Sequence, residues 1–174
     1  MNDEGVPKPS YRGMQMLSES AGDATLAVAP AAGPGGGRAY LSTAGAVVGA
    51  TQGTVDVSVT ARNGEVTALL CNFNCTGCPV PNATTVTLTF KNLSAPLPTA
   101  ATLELIDANH ANPLAAWVAA GSPLYSPQSV IFSELAASQL VPQPLALAPA
   151  GADSVTATLT LDVYAVARLR FTLV

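Results

Sequence analysis

One stretch of this chain gathers residue types able to move a proton or hold a cation. Asp107, Asn109 and the only histidine, His110, lie within four positions, and Asn112 and the only tryptophan, Trp117, follow. An Asp beside an imidazole can orient it for proton transfer, and Asp-x-Asn opens the ligand series of a calcium loop. The calcium reading fails at residue 111, an Ala where a third oxygen is required, and the Gly and closing Glu of such a loop are also missing. Any Ser-His scheme would have to run through His110, and no Gly-x-Ser-x-Gly elbow is present. Short polar side chains that bond nearby backbone and tolerate left-handed geometry suit a turn. Asp107, Asn109, His110, Asn112 and Trp117 are therefore read as a structural corner. No catalytic, cofactor-binding or metal-ligating residue is assigned, and no cofactor is expected.

The second cluster is Cys71-x3-Cys75-x2-Cys78. A structural zinc needs four ligands, and His110 lies far along the chain, so the three cysteines are read as disulfide candidates with one thiol left over. Cys71 to Cys78 closes the more relaxed loop, but the spacing leaves the pairing open. Asn74, Asn82 and Asn92 each begin an Asn-x-Ser/Thr acceptor pattern in the same region. Together with the cysteines they predict a secreted, extracellular glycoprotein carrying N-linked glycan. The amino terminus, MNDEGVPKPS, is acidic and lacks the apolar segment of a signal peptide. The expectation that reconciles these features is a carboxyl-terminal piece of a longer secreted chain.

Composition narrows the remaining classes. Seven Lys and Arg, unclustered in a chain of net charge −4, give nucleic acid no electrostatic basis for binding. No apolar run approaches the roughly 20 residues of a spanning helix, so no membrane span is expected. Gly33-Pro34-Gly35-Gly36-Gly37 lacks the following Lys-Ser/Thr of a phosphate loop. The 11 acidic residues are scattered, as solvated charges usually are.

These residues sit on strands more than on helices. Val55, Val57 and Val59 alternate with polar neighbours, Asn63-Gly64 is the pair that a two-residue type I′ turn requires, and Val66 to Cys71 returns as the partner strand. Val86, Leu88 and Phe90 alternate with threonines, and so do Val155, Ala157, Leu159 and Leu161. The last strand puts Ala167, Leu169, Phe171 and Leu173 on one face and Arg168, Arg170 and Thr172 on the other. One dry and one wet face per strand predict a mainly β fold, an antiparallel β-sandwich. A helix is expected from Pro9, with Tyr11, Met14 and Leu17 on a face that needs a surface to cover, ending at Gly22. Two short helices are expected inside one long connection. Asn112 caps the first, with Pro113 in its first turn, Leu114, Trp117 and Val118 on a shared buried face and Gly121 and Pro123 closing it. The second starts at Ser126 and Pro127, with Ile131, Leu135 and Ala136 as its stripe. The implied organisation is a terminal helix segment at 1–22, an Ala/Gly-rich linker or hairpin at 23–54 and the sandwich at 55–174.

With these residues read, the chain resembles the carboxyl-terminal part of glycoside hydrolase family 39, the β-xylosidases and α-L-iduronidase. The stretch from Asn2 to Leu17 resembles the family's last barrel segment and final helix. Ile106 to Pro113, then Trp117 and Gly121-Ser122-Pro123, resembles the corner and helix of its β-sandwich. The resemblance implies a parent enzyme with a retaining mechanism run by two Glu on a (β/α)8 barrel, one of them in an Asn-Glu-Pro context. This chain has no Asn-Glu dipeptide, so no catalytic residue is carried over and the chain alone is expected to be inactive. Its expected role is a non-catalytic sandwich packed on the parent's barrel through the Tyr11-Met14-Leu17 helix. The alternative is a self-standing secreted glycoprotein module with a structural or assembly role, whose partner is other copies of itself. A carbohydrate-binding module ranks lowest, because it would want exposed aromatic rings and aromatics are 5% of the chain.

Overall fold

The computed structural model describes residues 5–22, 24–26, 28–30, 46–50, 55–72, 83–125 and 127–173. Helix α1 (Pro9–Glu19) is followed by strands β1 (Ala24–Leu26), β2 (Val28–Pro30), β3 (Ala46–Ala50), β4 (Val55–Arg62), β5 (Glu65–Asn72), β6 (Thr84–Phe90) and β7 (Ala100–Ile106). Helices α2 (Leu114–Ala119) and α3 (Gln128–Ala137) then interrupt the strands. The chain closes with β8 (Gln143–Ala146), β9 (Ala148–Gly151), β10 (Ser154–Leu161) and β11 (Val166–Thr172). Two sheets result, ordered β1-β4-β5-β11-β7-β8 and β2-β3-β6-β10-β9. Every pairing is antiparallel except β2 with β3. The expected mainly β sandwich, with an amino-terminal helix and two short helices in one connection, is the fold observed. Short strands inside 23–54 join both sheets.

The alternation read from the sequence fixes the two inner faces. Val55, Val57 and Val59 of β4, Val66, Ala68 and Leu70 of β5, and Ala167, Leu169 and Phe171 of β11 are buried. They form one core with Val86, Leu88 and Phe90 of β6 and Val155, Ala157, Leu159 and Leu161 of β10. Phe90 and Phe171 meet edge to face across this core, with ring centroids 4.8 Å apart at 72°; such pairs add about 0.5 to 1.5 kcal/mol beyond their area burial. Asn63 and Gly64 take φ of 51° and 76°, the left-handed pair that a type I′ turn demands. The β4–β5 register runs from Arg62↔Glu65 to Val55↔Asn72.

The outer faces differ. On the five-stranded sheet three threonine pairs lie side by side, Thr85 with Thr160, Thr87 with Thr158 and Thr89 with Thr156, their hydroxyls 3.3 to 3.5 Å apart. The six-stranded sheet is partly covered by helix. Met16 of α1, Ile106 and Ala111 make a second buried cluster with Leu69, Leu140 and Val166 packed against it.

Candidate functional site: a polar corner and a buried arginine

The corner forms where β7 ends. Asp107 Oδ1 accepts the backbone N–H groups of Asn109 at 2.7 Å and His110 at 2.8 Å, and the Asp107 N–H is donated to the His110 carbonyl at 3.1 Å. His110 Nδ1 lies 2.8 and 2.9 Å from the two carboxylate oxygens of Asp107, which favours the tautomer with its proton on Nδ1. The carboxylate thus closes the turn and aims the ring. Ala111 follows at φ 50°, buried, and Asn112 Oδ1 accepts the Leu114 N–H at 3.1 Å. Asp107 and His110 are therefore brought together in one turn, and Asn112 bonds the backbone two residues on, just ahead of α2. Among the described residues no group of three or more His, Cys, Asp or Glu could hold a metal ion.

Expectations about α2 and α3 change. Pro113 occupies the cap position of α2 itself, not its first turn. Trp117 is half-buried and donates Nε1–H to the Pro123 carbonyl at 3.1 Å, while Leu114 and Val118 on its face are exposed. A helix of six residues held at the corner leans on α3 rather than lying flat on the sheet. In α1 the Tyr11, Met14 and Leu17 stripe faces away from the sandwich, Met14 at 66% exposure, and Met16 is the side chain buried beneath the helix. In α3, Ile131 and Leu135 are half-buried and Ala136 is exposed; the buried positions are Glu134 and, just beyond the helix, Ser138. Ser126 lies outside the described residues.

Sequence reading assigned Arg168 to a wet face, and the structure buries it at 2% exposure. Its Nε and Nη2 both reach Glu104 Oε2 at 2.7 Å, and its Nη1 reaches Glu19 Oε2 of α1 at 2.6 Å. Arg170 Nη2 stands 3.4 Å from the same Glu104 oxygen. Burial works against the charge of Arg168, but its bonds to Glu19 and Glu104 outweigh that and raise its pKa above the ordinary value. Glu19 moves down, first through the hydrogen bond from Gln15 and then through Arg168. At the other end of α1, Arg12 Nε is donated to the Ser138 carbonyl at 2.8 Å. Thr60 Oγ1 is donated to the Ser20 carbonyl just past α1, at 2.6 Å. The helix is thus tied to the sheet by polar contacts along its length. The available signal was Glu104 on the outward face of one strand and two arginines at alternate positions of another.

Cys71 is a free thiol, half-buried on β5, and burial followed by the charge of Asp56 raises its pKa. Cys75 and Cys78 lie outside the described residues, as do Asn74 and Asn82. Asn92 is exposed in the turn after β6 at φ 60°.

No family model matches the sequence, and no curated protein does. Solved structures do. The chain superposes over its full length on a GH39 enzyme from Xanthomonas axonopodis pv. citri, with a TM-score of 0.64 and 18% identity. Over 99% of its length it matches a monomeric beta-xylosidase from Caulobacter crescentus CB15 (TM-score 0.57, 17% identity) and a GH39 beta-xylosidase from Caulobacter crescentus (0.60, 14%). It spans only 29 to 32% of those chains. The chain therefore shares its overall fold with a portion amounting to about a third of the length of each of these enzymes.

Proposed function

We propose that the chain is the non-catalytic carboxyl-terminal β-sandwich portion of a secreted family 39-like glycoside hydrolase, seated on the parent's catalytic barrel through α1, α2 and α3. The observation that carries this reading is the apolar surface these helices expose. Tyr11, Met14 and Leu17 on α1, Leu114 and Val118 on α2 and Phe132 on α3 are exposed. Between the last two helices Leu124 and Tyr125 reach 89% and 83% exposure. Exposed apolar surface on this scale marks an interaction site.

Retaining glycoside hydrolysis needs two carboxyl groups about 5 to 5.5 Å apart beside a sugar. The one pair of carboxylates that the described residues bring to a common partner, Glu19 and Glu104, is engaged by Arg168. The isolated chain is expected to leave aryl xylosides and iduronides uncleaved. Turnover that survives purification and vanishes on replacing a single Glu of this chain would overturn the reading.

The docking half is tested by amide exchange. A protein carrying a family 39 catalytic barrel ahead of this chain is expressed, and exchange in α1, α2 and α3 is compared with that of the 174-residue chain. Slower exchange in the longer protein supports a barrel partner. Equal exchange, with light scattering showing a self-assembled 174-residue chain, would support the self-standing module instead. N-linked glycan and secretion belong to the same proposal, and an unchanged intact mass after deglycosylation would count against both.

A further inference from the structure

The outer face of the six-stranded sheet is not covered along its whole length. An open groove of about 510 Å³ lies between β5, β7, β8 and the end of β11, within the roughly 300 to 1,000 Å³ usual for small-molecule sites. Its polar side chains are not spent on the fold. Among the described residues Thr102 and Thr172 make no side-chain hydrogen bond. Arg170 has only its 3.4 Å contact to Glu104 Oε2, an oxygen already holding two nitrogens of Arg168, and its buried Nε has no acceptor. Glu65 lines the same groove, register partner of Thr172, and forms no ion pair with Arg170.

We propose that this groove binds a short neutral saccharide, a site independent of the docking surface above. The charge pattern makes the choice. An anion drawn to Arg170 meets Glu65, and a cation drawn to Glu65 meets Arg170. A neutral ligand rich in hydroxyls satisfies both, donating to the carboxylate and accepting from the guanidinium. Hydrogen bonds to charged groups are the stronger kind. The hydroxyls of Thr102 and Thr172 can both donate and accept, as sugar hydroxyls do. Pro142 and Pro144, both exposed at the rim, offer apolar surface to the C–H face of a ring. No aromatic ring provides a stacking platform, so the affinity is on the order of millimolar, equivalent to about 4 kcal/mol.

The test is titration of the ¹⁵N-labelled 174-residue chain with xylotriose and with cellotriose, each to about 20 mM, well above a millimolar constant. The amides of Thr102, Gln143, Arg170 and Thr172 are expected to shift together and to saturate. E65Q and R170Q should each weaken binding about tenfold, the equivalent of 1.4 kcal/mol, with the rest of the spectrum unchanged. Because Glu65 is exposed beside a turn, E65Q keeps the test valid if R170Q disturbs the sheet. Absence of saturable shifts with both saccharides would overturn the proposal. So would shifts centred elsewhere, binding indifferent to E65Q, or tighter binding of glucuronate than of either neutral sugar. The measurement needs no catalytic domain, so its failure would leave the docking proposal standing.

Discussion

Replacing Arg168 by Met probes the buried ion cluster directly, because Met fills much of the volume without the charge. Glu104, at 4% exposure, would lose both 2.7 Å contacts to Oε2 and keep only Arg170 at 3.4 Å. Breaking a buried pair by removing one partner costs about 3 to 5 kcal/mol, since the remaining charge stays out of water. Glu19 adds little, its side chain being 45% exposed, and exposed pairs contribute about 0 to 1 kcal/mol. R168M should therefore lower stability by about 3 to 5 kcal/mol. With an m-value of about 2 kcal/mol per molar, the urea midpoint would fall by about 2 M. The double variant R168M/E104L removes both buried charges and places Leu on a face already lined by Ile106 and Met16. Apolar replacement of a whole buried pair is often neutral or better, so most of the loss should return. A cost below about 1 kcal/mol for R168M, or a double variant no more stable than the single, would refute the buried-charge account.

Two further expectations follow from the same side of the molecule. Glu19 is held below the ordinary carboxylate value of 4.5 by Gln15 and Arg168. Its contribution is therefore present above that value and is lost as pH falls through its lower folded-state value. E19Q should flatten the acid limb of stability below about pH 4.5, by no more than about 1 kcal/mol for so exposed a group, and unchanged urea midpoints across that range would refute it. Gly22 lies against β4, where an added Cβ would sit 2.7 Å from Thr60 Cβ and 2.8 Å from the Ala61 carbonyl. G22A should cost about 1 to 3 kcal/mol in denaturation, as overpacking does, and a neutral result would show that the segment moves aside.

The sandwich was legible because period-2 alternation is strong in β4, β6, β10 and β11, and Asn63-Gly64 pins one register outright. The same alternation misled at Arg168. Period 2 tells which side of a strand a residue takes, not whether water reaches that side, and coverage by α1 is a long-range fact. Tyr11, Met14 and Leu17 were assigned correctly to one helical face, but periodicity does not say which surface the face meets. The Asp107 corner was readable because its bonds span three residues. The groove was not, since Glu65, Thr102, Gln143 and Arg170 are gathered only by strand order.

The threonine-paired sheet has a consequence for how the molecule answers its solvent. None of its five strands, VAP, AVVGA, TTVTLTF, APAG and SVTATLTL, contains an ionisable side chain. Among the described residues, the Glu19–Arg168 pair that ties α1 to a strand and the Glu104 pairs with Arg168 and Arg170 lie on the opposite layer. Within the strands themselves, acid and salt therefore act on the six-stranded sheet. In high salt the half-exposed Glu19 end of its pair with Arg168 is partly screened, while hydroxyl contacts and the buried aliphatic core keep their strength. Protonation of Glu19 loosens the same edge. Acid is therefore expected to loosen the contact of α1 with its sheet before it affects the threonine-paired layer.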